Sequence, residues 1–249
     1  MCPDEAPAAS AQRTRSYAKR LQRDRHGNTQ LAASRILDFA LEVLPNIRSA
    51  VDVGCGVGTW LVELAKRGIR DLVGLEGPWL DRKLLVMPQE WLVAWDLTKD
   101  IDLGRRFDLA LSLEVAEHLP RERGPGFVGW LTDLADFVLF SAAIPGQGGR
   151  GHQGERWQEE WVALFAARGY EVRDWIRPRI WKEKGIPPWY RQNTFLFVSE
   201  TRKRELRPPS DLPMLDSLVH PELFLRRLER AATLRGVLRR WGRKLRLGR

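Results

Sequence analysis

Val51-Asp52-Val53-Gly54-Cys55-Gly56-Val57-Gly58-Thr59-Trp60 is the stretch on which the fold turns. It opens with a short apolar strand, passes through three alternating glycines and ends where a helix can start. Glycine lets the backbone turn sharply and approach a ligand where any Cβ would clash. The spacing is Gly-x-Gly-x-Gly rather than the Gly-x-Gly-x-x-Gly of the dinucleotide fingerprint.

Outward from this turn the chain repeats a strand-helix rhythm. Residues 29–43 space Leu31, Ile36, Phe39, Ala40 and Val43 as one face of a helix that Pro45 stops. After Ala50–Val53, further strands are expected at 72–75, 91–94, 107–113, 137–140, 170–175 and 194–198. Helices are expected at 59–66, about 125–135, and 157–168. Strands alternating with helices imply βαβ units, hence an α/β, Rossmann-like sheet of seven strands. No long helix separates the last two strands, so the sheet should be mostly parallel with one antiparallel edge strand.

Strand ends then supply chemistry. The second strand ends at Leu75-Glu76, 22 residues after Gly54, where a carboxylate can accept from both hydroxyls of a ribose. The third ends at Trp95-Asp96-Leu97, where an acid can accept from an adenine amino group. The fourth is Phe107-Asp108-Leu109-Ala110-Leu111-Ser112-Leu113. These groups occur in sequence order on the carboxyl side of one sheet and suit a nucleoside lying across it.

Composition narrows the rest. The chain has 249 residues, 43% hydrophobic and 9% aromatic, enough for one sizeable core. Its net charge of +9 is not spread evenly: residues 202–249 carry 14 Lys/Arg and 5 Asp/Glu, while residues 1–201 carry 27 of each. A neutral body argues against a nucleic-acid surface over a cleft. Two cysteines, Cys2 and Cys55, exclude a disulfide framework. Early Asp4 and Glu5 do not suit a signal peptide, and no apolar run approaches the roughly 18–20 residues of a membrane span. A cytoplasmic protein is expected, divided into an N-terminal arm (1–28), a main domain (29–201) and a basic linker with an amphipathic helix (202–249).

The glycine turn and the acids that follow it resemble the motifs of class I S-adenosylmethionine (SAM) methyltransferases over about residues 30–200. The resemblance implies that Gly54, Gly56 and Gly58 line the methionine and ribose of SAM, and that Asp52 orients the amino group. It also assigns Glu76 to the ribose and Asp96 with Leu97 to the adenine, and Ser112 joins them at the end of the fourth strand. Trp79 either covers the adenine face or packs on the surface. Methyl transfer needs alignment of an acceptor with the departing thioether and removal of a proton, so no dedicated nucleophile is required.

After the fourth strand comes Glu114-Val115-Ala116-Glu117-His118-Leu119-Pro120. On a helical turn, positions i, i+3 and i+4 share a face, so Glu114, Glu117 and His118 are expected to converge on a divalent metal such as Mg, with His152 as a fourth ligand from the next loop. Without a metal, His118 or His152, with Glu117, forms an acid-base set. The segment resembles the Glu-x-x-Glu-His signature of metal-dependent RNA 2′-O-methyltransferases and ubiquinone-pathway O-methyltransferases. Phe140 to Gly149 with His152, Glu155, Trp157 and Trp161 is similar to a bacterial subgroup of glycan and natural-product clusters. In that subgroup a neutral Gln stands where this chain has Arg156. Trp181, Trp189, Tyr190 and Asn193 are candidate walls of an acceptor pocket, or packing residues under a long loop.

The expectation is therefore a SAM-dependent methyltransferase acting on a hydroxyl, or an amine or carboxylate, of a small molecule, natural product or sugar. An RNA 2′-O-methyltransferase and a non-catalytic SAM-binding module are the alternatives. From Pro221, Phe224, Leu228, Ala231, Leu234, Leu238, Trp241 and Leu245 share one helical face opposite Arg226, Arg227, Arg230, Arg239, Arg240, Arg243 and Lys244. This helix docks on its own body or a protein partner, or lies on an anionic membrane, and is expected to be separable from catalysis.

Overall fold

The computed structural model describes residues 27, 29–209, 219–220, 222–227, 229–231 and 233. The expected arm lies almost wholly outside them, as does most of the expected C-terminal helix. Helix α1 (29–43) buries Ala32, Ala33, Ile36, Leu37, Ala40 and Val43, an i, i+3, i+4 stripe, while Leu31 stays exposed. Then follow β1 (Ser49–Val53), α2 (Thr59–Lys66), β2 (Asp71–Glu76), β3 (Leu92–Ala94) and β4 (Leu109–Leu113). The second half holds α3 (Gly124–Leu134), β5 (Phe137–Ser141), α4 (Gln158–Ala166), β6 (Tyr170–Arg173), α5 (Arg177–Ile180), α6 (Pro188–Asn193) and β7 (Phe195–Ser199).

The seven strands form one sheet in the order β3-β2-β1-β4-β5-β7-β6. Strands β1 to β5 pair in parallel, and β7 runs antiparallel to both β5 and β6. The antiparallel strand thus sits one place inside the edge, with β6 outside it. Between β6 and β7 the chain forms the two short helices α5 and α6, each with a proline in its first turn, where proline's missing N–H costs nothing.

Alternation along the strands shows why the sheet is covered on both faces. Leu109, Leu111 and Leu113 of β4, Phe137 and Leu139 of β5, and Leu196 and Val198 of β7 enter one core with α1 and α2. Ala110, Val138, Phe140, Phe195 and Phe197 enter the other with α3 and α4. Two expected strands begin later than their apolar runs. Phe107 makes only an isolated bridge to Ala135, and Trp91 closes a 3-10 turn. Asp108 lies at the amino end of β4, where its carboxylate takes the amides of Arg48 and Ser49 at 2.8 and 3.0 Å, so it belongs to the opposite edge from the glycine turn. Among the described residues no helix is long and apolar enough to cross a membrane.

Arg177 is 0% exposed. Its Nε and Nη2 donate to the two oxygens of Asp174 at 2.8 and 2.6 Å, its Nη1 donates to the Gln192 carbonyl at 3.1 Å, and its guanidinium lies 3.9 Å from the Phe195 ring centroid. The pair joins the end of β6 to α6. Arg177→Met takes the guanidinium from a buried carboxylate and is expected to cost about 3–5 kcal/mol, read as a lowered urea midpoint with unchanged m-value. Stability within experimental error of the parent would remove the pair from the list of fold determinants.

Candidate functional site

The strand order reverses direction between β1 and β4, which is where parallel α/β sheets form a crevice at their carboxyl ends. The glycine turn crosses this point. The amides of Gly54 and Cys55 both donate to the Leu75 carbonyl, at 2.8 and 3.0 Å, and fasten the turn to the end of β2. Gly54, Gly56 and Gly58 have φ of 88°, 54° and 90°. A Cβ on Gly54 or Gly58 would collide with Val115 or Met87, whereas one on Gly56 would meet nothing within 4 Å. The middle glycine therefore faces open space.

Two carboxylates flank that space. Glu76 accepts from the Gly56 amide at 2.9 Å through Oε2 and from the Gly77 amide at 2.8 Å through Oε1. Burial pushes its carboxyl up, and these two amides offset part of the shift. Asp52 is 1% exposed and its Oδ2 has no hydrogen-bond partner. Burial, then the neighbouring Glu76, push its carboxyl up to about 8. Trp79 is 72% exposed, with its ring lying over Gly77. Asp96 is partly exposed, and its Oδ1 takes the Thr98 amide and hydroxyl at 3.0 and 2.8 Å; Leu97 beside it is buried. Ser112 is fully buried within β4, its hydroxyl unpaired.

The Glu114–His118 segment does not form the continuous helical turn that its spacing suggests. Glu114 has φ 58°, the only positive φ outside glycine among the described residues, and only Ala116–His118 forms a 3-10 turn. The Glu114 carboxylate accepts from Gln147 Nε2 at 3.0 Å and Asn193 Nδ2 at 3.1 Å. The three residues whose donor atoms do come together are Glu117, His118 and His152, all within 4.8 Å of one another. Glu114 falls outside that group, because the left-handed backbone at the strand end turns it toward the two amides.

His152 is brought in by main-chain contacts. The Glu117 carbonyl accepts from the amides of Gln153 and Gly154 at 2.8 and 2.9 Å. Gly154 permits this approach, since a Cβ there would press on the carbonyls of Leu119 and Ala116. The His118 and His152 rings meet edge to face at 4.9 Å. His152 Nδ1 lies 2.8 Å from Glu155 Oε1, and Glu155 Oε2 accepts from the Gly146 amide at 2.9 Å. Glu117 is 1% exposed with Oε2 unpaired; burial and then Glu114 hold its carboxyl well above the usual range. A pocket of about 530 Å³ opens beside this cluster, lined by His152, Gln153, Glu155 and Gly148 among others.

Of the aromatic candidates, Tyr190 is buried edge-on to Trp60 at 5.6 Å, Trp189 packs against the core, and Trp181 lies tilted against His220 at 4.5 Å. Asn193 reaches the site, by way of Glu114. Arg156 points elsewhere: it spans the Arg121 carbonyl and Glu160 and lies over Trp161. The roles of Gln147 and Glu155 were not separable in sequence from those of other loop residues, because only the folded loop puts them on Glu114 and His152.

Residues 21–138 match the family model described as a methyltransferase domain. The chain has no match among the curated proteins. Among solved structures, the plantazolicin methyltransferase BpumL, in complex with a pentazolic desmethylPZN analog and SAH, is 11% identical. That alignment covers 74% of this chain and 90% of BpumL at a TM-score of 0.51, a likeness of fold. DesVI of Streptomyces venezuelae is 18% identical over 70% of this chain and 94% of its own, with a TM-score of 0.49. Magnesium protoporphyrin IX methyltransferase (ChlM) of Synechocystis PCC 6803, with bound SAH, is 18% identical over 70% and 84%, with a TM-score of 0.48.

The Asp52 carboxyl carries a pH signature. Its folded-state value of about 8 lies above the ordinary 3.8, so between these limits the folded chain holds a proton that the unfolded chain has released. Stability is then lost as pH rises through that window. Asp52→Asn in the ligand-free protein should remove part of the loss, on the order of a few kcal/mol by pH 8. Thermal unfolding of both proteins at pH 5 to 8 provides the test, and parallel pH profiles would contradict it.

Proposed function

We propose that the chain is a class I SAM-dependent methyltransferase that methylates a hydroxyl, or an amine or carboxylate, of a small-molecule, natural-product or sugar acceptor. The observation that carries this reading is the buried, unpaired Asp52 Oδ2 beside Glu76 and the open face of Gly56. An unpaired buried carboxyl oxygen is costly until it meets a donor. The α-ammonium of SAM is such a donor. It favours the ionised carboxylate, so binding should release the proton that Asp52 holds near neutral pH. Each Glu76 oxygen accepts one amide and keeps a second lone pair for a ribose hydroxyl. Asp96 has Oδ2 left for the adenine amino group after Thr98 takes Oδ1, Leu97 and Trp79 supply apolar contact, and Ser112 completes the set at β4.

SAM supplies the methyl group. The chain's own residues bind the nucleoside, hold the acceptor beside the His118–His152 pair and remove its proton. Because Glu155 engages His152 Nδ1, Nε2 is the nitrogen left to accept the proton, in the manner of a carboxylate-oriented imidazole base. His118 and Glu117 stand next to it.

A second reading is favoured by the spacing of Glu117, His118 and His152 and by the orphaned Glu117 Oε2. One carboxylate and two imidazoles fit a divalent cation with a slight contraction, and two imidazoles suit Mn, Fe or Zn better than Mg. There the ion would act as a Lewis acid on the acceptor oxygen. The fourth expected ligand, Glu114, stays on Gln147 and Asn193.

Glu76→Ala should weaken SAM binding by about 1–3 kcal/mol in calorimetry; an unchanged affinity would take Glu76 out of the cofactor site. His152→Ala and Glu155→Gln should both depress turnover, and the double variant should lose little more than His152→Ala alone. Elemental analysis and Mn(II) titration of chelator-treated protein decide the second reading. Absence of bound metal, no Mn(II) binding and unaltered turnover together would dismiss it.

A further inference from the structure

Two of the basic residues after position 220, Arg227 and Arg230, are set against the loop that follows β5. The His220 amide donates to Gln192 Oε1, and the His220 ring packs on Trp181 at 4.5 Å. Buried Arg191 donates to Glu222 at 3.0 Å, and Leu223 is buried while Phe224 and Leu225 are exposed. These contacts pin the start of the helical residues 222–227 and 229–231 to α6, the helix that also carries Asn193. Arg227 and Arg230 then lie over the loop that follows β5. Arg227 Nε stands 3.3 Å from the position a Cβ on Gly146 would take, and Arg230 Nη1 stands 3.3 Å from that of Gly148, a residue of the pocket wall.

We infer that Arg227 and Arg230 complete the acceptor pocket and bind a phosphate or pyrophosphate group carried by a small acceptor. The inference rests on the acceptor lying beside His152, as proposed above. Three observations support it. The two arginines are three residues apart and share a helical face. Neither guanidinium has a hydrogen bond or ion pair among the described residues, and the nearest loop acid, Glu155, is taken up by His152 and the Gly146 amide. The cation in the pocket wall itself, Arg121, is already taken up by the Glu155 carbonyl and the Glu160 carboxylate. Guanidinium forks match phosphate oxygens in pairs, and two of them side by side suit a dianion better than a neutral sugar.

The test uses the full chain. SAH is titrated first into the parent protein and into the Arg227→Gln/Arg230→Gln double variant, and both should bind it equally. Failure of both to bind SAH overturns the methyltransferase reading itself. Inorganic pyrophosphate is then titrated into each SAH-saturated protein. The parent should bind it, more weakly as NaCl rises, and the double variant should bind roughly tenfold more weakly or worse. Equal affinities, or no binding to the parent at millimolar pyrophosphate, would overturn the inference while leaving SAH binding intact. A single-stranded RNA oligonucleotide serves as the contrasting arm. Binding tighter than that of pyrophosphate, with a steep salt slope, would overturn a small phosphorylated acceptor in favour of a polyanion.

Discussion

The site depends on how tightly the glycine turn is held to the end of β2. Two successive amides on one carbonyl, and a third on the Glu76 carboxylate, leave the turn one path. That path needs positive φ at three glycines and puts Val115 and Met87 where side chains would otherwise be. It also fixes the floor of the crevice relative to β4, because Val115 is the first residue beyond Glu114. The strained backbone at Glu114 is thus packed against the glycine turn on one side and tied on the other by the Ser141 carbonyl and hydroxyl, which accept from its amide at 2.9 and 3.1 Å. A left-handed glutamate is tolerated where surrounding contacts over-determine it.

A second, independent clamp assembles the histidines. His118 and His152 are separated by 33 positions, and two amides on the Glu117 carbonyl bring the loop back to the 3-10 turn, as their expected convergence requires. The loop is held by main-chain bonds and by Glu155, which joins the Gly146 amide at one end to His152 at the other. His152 is therefore oriented by the same loop that walls the pocket, and the position of the ring and the shape of the pocket cannot change separately.

The fold was legible because its signals are local and periodic. The alternation of Leu109, Ala110 and Leu111, or of Phe137, Val138 and Leu139, specifies a strand buried on both faces. The glycine spacing and the acids at 52, 76 and 96 follow from the same periodicity, since each stands next to a strand end. The Glu114, Glu117 and His118 convergence failed at one residue. Helical spacing is a valid rule only if the backbone is helical throughout, and a single φ of 58° removed Glu114 from the face. The strand boundaries at 91 and 107 slipped because apolar residues at a strand's approach bury themselves without joining the ladder. Asp108, at the amino end of β4, serves the start of β1 instead.

Charge gives these separate clamps a common consequence. Asp52, Glu76, Glu114 and Glu117 lie in or beyond the carboxyl ends of β1, β2 and β4, and burial raises the carboxyl of each. Buried acids with unpaired oxygens at Asp52 and Glu117 store unfavourable energy that a cationic ligand relieves. In the proposed reaction the cofactor enters with a sulfonium and an ammonium and leaves with the ammonium alone. Methyl transfer therefore takes one positive charge off the cofactor, the acceptor's proton passing to His152, in an acid-rich, low-dielectric site where each charge counts for more than in water. The same electrostatics that favour SAM over its product would favour release of the product. They also explain why the cations that meet an anionic acceptor belong at the pocket mouth, on Arg227 and Arg230. Placed on the floor, they would neutralise the acids that hold the cofactor.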